Sequence, residues 1–134
     1  FAAPTSYQYV KLSVLESSND FACIGGMTVI GGDGSIIEPV SIMPTSETKD
    51  NPAKNLRGED TLFWESQPMA EQGLNEFDPQ PHEVTYDLGA SVLIKNIFTH
   101  NRNPSTGLGL VSHFKIHCKN DDHVDWVQVS EVRK

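Results

Sequence analysis

The sequence predicts an all-β sandwich, and three observations predict it. Short apolar runs rich in β-branched and aromatic residues recur along the chain. Clusters of Gly, Pro, Asn, Asp and Ser separate them. No segment keeps an apolar repeat near 3.6 residues for long enough to make a helix. At 134 residues the chain fits one domain, residues 1–134, on a prior of about 100–200 residues per domain. A chain of that size buries roughly two thirds of the surface it exposes when unfolded.

Each element follows from its residues. In residues 7–15, Val10, Leu12 and Val14 fall on one face and Tyr9, Lys11 and Ser13 on the other, the period-two pattern of a half-buried strand. Residues 22–30 form a second strand, in which Gly25-Gly26 marks a bulge or a close backbone approach. Gly31-Gly32-Asp33-Gly34 is a turn. Residues 40–43 give a short strand, and 44–56 a long polar loop with Pro44 and Pro52. Residues 61–66 carry Phe63-Trp64, and 67–82 form a second long loop. Residues 84–88 alternate and are stopped by Gly89, after which 92–100 are apolar enough for a central strand. Residues 101–110 are a loop rich in Asn, Pro, Ser and Gly. Residues 111–118 are a strand with Phe114, Ile116 and Cys118 inward, Asn120-Asp121-Asp122 is a turn, and 124–129 is the last strand. About eight short strands of this kind fit a two-sheet sandwich of jelly-roll type. Long loops in a compact domain are commonly functional.

Charge limits the partners. Lys+Arg is 10 and Asp+Glu 18, a net charge of -8, and residues 59–87 hold eight acids with no Lys or Arg. A nucleic-acid binder needs basic clusters to neutralise phosphates, and the sequence offers none, so nucleic acid and anionic membranes are not expected partners. No run approaches the ~20 apolar residues of a membrane-spanning helix, so membrane insertion is not expected. Cys23 and Cys118 allow one disulfide at most; both sit in apolar stretches and read as buried free thiols. The chain starts at Phe1 without a signal-peptide pattern, which suits a mature form, a fragment or an excised domain.

An ordered set of residues carries a more specific message. Asn51-Pro52-Ala53-Lys54-Asn55-Leu56 is followed by Gly58, Thr61 and Phe63-Trp64-Glu65-Ser66, then by Val84-Thr85-Tyr86-Asp87-Leu88-Gly89. Ile94 and Ile97 precede Asn101-Arg102, and Phe114-Lys115-Ile116, Asn120-Asp121 and Trp126-Val127-Gln128-Val129 close the set. This order resembles the discoidin-like domains, also called coagulation factor five/eight type C domains, and the related galactose-binding modules. Tyr9-Val10-Lys11-Leu12, Ala22-Cys23-Ile24-Gly25 and Val29-Ile30-Gly31 look like that family's closing strands placed first, so the chain resembles a circularly permuted member. Permutation is tolerated where termini lie close together at the surface. The resemblance spans residues 7–129. Trp64 and Trp126 read as core anchors, since large aromatics dominate small cores.

The resemblance implies a fold, a calcium question and a site. Many family members hold calcium before the first tryptophan, and calcium needs several hard oxygen ligands. Here Arg57 and Gly26 stand where the family has acids. Glu59, Asp60 and Thr61 remain as a weak alternative calcium loop, but the residues favour an Arg57 ion pair, and no cofactor is expected. In sugar-binding relatives a His and one or two Arg on these loops bond to hydroxyls. His100, Asn101 and Arg102 match that place, and a guanidinium fork suits neighbouring hydroxyls. The second Arg of the fucose-binding pattern is absent from residues 106–109. His113 and His117 share a strand face with Lys115 between them and read as solvated histidines.

No nucleophile elbow, phosphate-binding loop, zinc-protease motif or dinucleotide fingerprint is present, so the chain is not expected to be an enzyme. The sequence therefore leads to a noncatalytic carbohydrate-binding module, extracellular or surface-exposed, with a glycan or glycoprotein as partner. The alternative is a structural or adhesion module with a protein partner, as in a viral or phage appendage or an extracellular assembly. An intracellular scaffold domain of the same fold is a third reading, consistent with free thiols.

Overall fold

The computed structural model describes residues 5–17, 23–45, 56, 64–65, 82–101, 111–120 and 125–133. Among them the chain is β throughout, with no helix. The strands are β1 (Thr5–Ser17), β2 (Cys23–Gly31), β3 (Ile36–Ile37), β4 (Ser41–Pro44), β5 (Trp64–Glu65), β6 (Glu83–Asn101), β7 (Val111–Lys119) and β8 (Val127–Arg133). Every pairing is antiparallel, in the order β3-β2-β6-β1-β7-β8, with β4 added to β6 and β5 to β2.

Alternation builds the core as expected. Val10, Leu12 and Val14 of β1 are buried, as are Phe114, Ile116 and Cys118 of β7. They join Ile24, Met27 and Val29 of β2, Val84, Tyr86, Leu88 and Ile94 of β6, and Leu56 and Trp64 in one hydrophobic cluster. β2 and β7 are separated in the strand order by β6 and β1, yet they share that cluster, so the sheet closes over itself as a sandwich. Tyr86 ties the layers together: its hydroxyl lies 2.8 Å from the Met27 carbonyl and 2.8 Å from the Leu56 carbonyl, with one proton to share.

Residues 84–88 and 92–100, expected as two strands, are one strand of 19 residues. Two steps along β1, from Tyr7 to Tyr9, face five along β6, from Val92 to Asp87. Gly89 does not stop the strand; it turns the chain within it, at φ +85°. Asp87 Oδ1 accepts hydrogen bonds from Gly89 N at 2.8 Å and Gln8 Nε2 at 3.2 Å, which holds the excursion. The first part of β6 lies between β1 and β4, and the second part pairs with β2.

Other boundaries move modestly. The expected bulge at Gly25-Gly26 is a register shift between Ile24 and Gly26. The glycine turn closes with Gly34 N donating to the Gly31 carbonyl at 2.9 Å. The last strand lies later than residues 124–129 because its pairing with β7 runs from Val127 to Arg133. The loop at 44–56 falls outside the described residues from 46 to 55, and the loop at 67–82 from 67 to 81.

Candidate functional site

The strand-end site begins with β2. Gly26 pairs with His100 and Ile24 with Asn101, at the end of β6. Gly26 has no side chain and is buried within β2. Ile24 also pairs with Trp64, which is fully buried. His100 and Asn101 thus stand at the sheet's end on a strand whose neighbour is anchored in the core. Arg102, and the loop it begins, lie outside the described residues, as do Arg57, Glu59, Asp60 and Thr61. Among the described residues no three His, Cys, Asp or Glu side chains gather as a metal-binding set.

Two expectations are corrected. His113 is buried rather than solvated, and its Nε2 lies 2.7 Å from Glu131 Oε2 on β8. His117 is only partly exposed, and its Nδ1 is buried with no hydrogen-bond partner. Burial first, then the positive charges of Lys11 and Lys115, hold the His117 pKa below its ordinary value, against a smaller opposing pull from Glu83. Pairing supplies the neighbours: β8 along one edge of β7 brings Glu131 to His113, and β1 along the other places Lys11 beside His117.

Trp126 is the second correction. It lies outside the core cluster, partly exposed, and two ammonium groups sit on its ring. Lys11 Nζ is 4.5 Å and Lys119 Nζ 4.6 Å from the ring centroid. Lys119 Nζ also lies 5.6 Å from the centre of the Tyr9 ring. The sequence reading missed this cluster, although its signal was present. Tyr9 and Lys11 alternate on one strand, Lys115, His117 and Lys119 on another, and the registers Tyr9–Lys119 and Lys11–His117 bring them side by side. Glu83 steadies the arrangement: its Oε2 accepts from Ser13 Oγ at 2.8 Å and lies 3.7 Å from Lys11 Nζ.

Two small clefts lie among the described residues. One of about 140 Å³ is lined by Asn96, Ile97, Ile116, Val129 and Ser130, where the second part of β6 faces β7 and β8. The other, about 70 Å³, lies between β2 and β3 with Tyr86 and Leu56 in its wall. Trp126 lines neither of the two.

Comparison with protein-family models and with curated proteins finds no match to this chain.

Proposed function

We propose that the chain is a noncatalytic carbohydrate-binding module, a jelly roll of the discoidin-like kind, acting outside the cell or on an exposed surface. One observation carries this reading above the others: the end of β6 delivers His100 and Asn101, with Arg102 next in sequence, opposite the glycine of β2. Three consecutive hydrogen-bonding residue types at a strand end, beside a position without a side chain, suit a ligand made of neighbouring hydroxyls. The Arg102 guanidinium supplies a donor fork, Asn101 a donor and an acceptor, and His100 one of each when neutral. No bond is made or broken in this scheme. A site so small binds weakly alone and gains strength by repetition in an assembly.

A glycan array with the multimerised domain tests the reading, with Arg102→Ala as control and with and without a chelator. Binding that Arg102→Ala lowers by about tenfold or more supports it, that being a charge-assisted hydrogen bond or two. A folded, multimerised sample that binds no glycan ends it. Chelator sensitivity would return Glu59, Asp60 and Thr61 to consideration as a calcium loop.

A protein partner is the second reading, favoured by exposed apolar side chains on β3 and β6. Ile36 is 62% exposed and Phe98 55%. Ile36 pairs with Ile30, and Phe98 with Thr28, the alternate residues to buried Val29 on β2. An Ile36→Ser/Phe98→Ser variant that loses a partner while keeping glycan binding would assign that face to protein contact.

A further inference from the structure

The turn between β2 and β3 holds the chain's one Asp-Gly step, Asp33-Gly34, and the sequence contains no Asn-Gly. Such a step can react with itself. The backbone nitrogen of the glycine attacks the carboxyl carbon of the aspartate side chain. The amide proton and the carboxyl hydroxyl leave together as water, and a five-membered succinimide remains. Water then reopens the ring at one of its two carbonyls. One opening restores aspartate; the other gives isoaspartate, in which the main chain runs through the former side chain and is one carbon longer. One water leaves and one returns, so no oxidant, reductant or cofactor is needed. Glycine favours the attack because no side chain crowds its nitrogen.

The turn presents this step and also restrains it. Asp33, Gly34 and Ser35 are exposed, and a Cβ placed on Gly34 would meet nothing within 4 Å. Both reacting groups are engaged elsewhere. Gly34 N donates to the Gly31 carbonyl at 2.9 Å. Asp33 Oδ1 accepts from Ser35 Oγ at 2.6 Å and from Ser35 N at 3.0 Å. The Ser35 hydroxyl first, and then its backbone N–H, hold the Asp33 carboxyl below its ordinary pKa, in the ionised form that expels water poorly. The backbone around the pair is tied down as well. Gly31 N donates to the Ser35 carbonyl at 2.8 Å, and Gly32 N to the Leu93 carbonyl of β6 at 2.9 Å.

Reaction here would not stay local. β3 is two residues long and pairs with β2 as Ile30–Ile36 and Val29–Ile37. An added main-chain carbon between Gly31 and Ser35 lengthens the connection that sets this register. Ile36 and Ile37 also line the smaller cleft, so its wall depends on the same turn. We propose that Asp33-Gly34 is a modification site, a succinimide and isoaspartate step that the hydrogen bonds of the β2–β3 turn hold in check and that loosens β3 once it proceeds. The proposal uses none of His100, Asn101 or Arg102 and stands apart from the carbohydrate reading.

Incubation of the whole chain near neutral pH, folded and in parallel in concentrated guanidinium chloride, tests it. Peptide mapping by mass spectrometry reads the succinimide as the loss of one water, and electron-transfer fragmentation separates isoaspartate from aspartate at residue 33. Isoaspartate at Asp33 is expected to accumulate faster in the unfolded chain than in the folded one. Ser35→Ala should raise the folded rate by about threefold or more, as for the loss of one exposed charge-assisted hydrogen bond, and change the unfolded rate little. Asp33→Glu should give no product at this position, because its ring would need six members. The isoaspartyl form, separated from the unreacted chain, should exchange amide hydrogens faster over residues 29–37. Absence of product at Asp33 in the unfolded chain overturns the site. Equal folded and unfolded rates overturn the restraint, and this comparison needs no variant to fold. Unchanged exchange in the isoaspartyl form overturns the coupling to β3.

Discussion

Gly89 is the residue on which the longest strand depends. Its φ of +85° lies in the left-handed region, where a side chain is disfavoured by about 1–2 kcal/mol. A Cβ placed there would also approach Val40 Cγ1 to 3.0 Å. Gly89→Ala is therefore expected to destabilise the domain by about 1–2 kcal/mol, read as a lowered urea midpoint. Asp87→Ala removes the acceptor for Gly89 N and should cost about 1 kcal/mol by the same measurement. His117 gives the residue scale a pH dependence. Its folded pKa lies below the unfolded value of about 6.5, so below that pH the unfolded chain takes up a proton that the folded chain resists. This contribution to stability is full above about pH 6.5 and is lost as pH falls from there through the folded pKa. Lys11 and Lys115 add to the resistance and Glu83 opposes it. Urea midpoints measured at about pH 7.5 and about pH 5.5 should differ less in His117→Gln than in wild type.

At the scale of elements, what the sequence makes legible is set by alternation. β1 was readable because Val10, Leu12 and Val14 are buried while Tyr9 and Lys11 are not, and period two is visible without knowing any neighbour. β7 was readable for the same reason. In the sequence β6 looks like two strands, because a glycine after Asp87-Leu88 looks like a stop. Whether such a glycine ends a strand or turns it depends on hydrogen bonds from Gln8 and on pairing with two partners, which are long-range facts. β3 is two residues long and has no periodicity to read. The basic row on β7 was legible residue by residue, but its closeness to Trp126 depends on the fold. The strand-end residues His100 and Asn101 were legible as a motif, whereas Gly26 as their counterpart needed the register of β2 with β6. The same register places β1 between β6 and β7, so its core residues have neighbours on both sides. Leu12→Ala leaves a cavity at a fully buried position and should cost about 2–5 kcal/mol in a denaturant titration.

For the whole molecule, two buried thiols provide a probe of how the sandwich opens. Neither Cys23 nor Cys118 is in a disulfide, and both are fully buried. Burial pushes the Cys118 thiol up to about 12, so at neutral pH almost none of it is the reactive thiolate, and modification requires the protein to open. The two sites differ in what must separate. Cys118 pairs with Val10 on one side and Val127 on the other, inside the β1-β7-β8 arm, whereas Cys23 begins β2 and pairs with the two-residue β5. Short pairings at strand ends open at lower free energy than central ones. Labelling with a thiol reagent at low denaturant should therefore modify Cys23 before Cys118, and Cys118 labelling should follow the global unfolding measured by circular dichroism. Peptide mass mapping identifies which thiol reacts. The opposite order would mean that β8 peels from β7 more easily than β5 from β2. The strand edge carrying Lys115, His117 and Lys119 would then open before the β2–β5 end, and Cys118 labelling would run ahead of the global unfolding seen by circular dichroism.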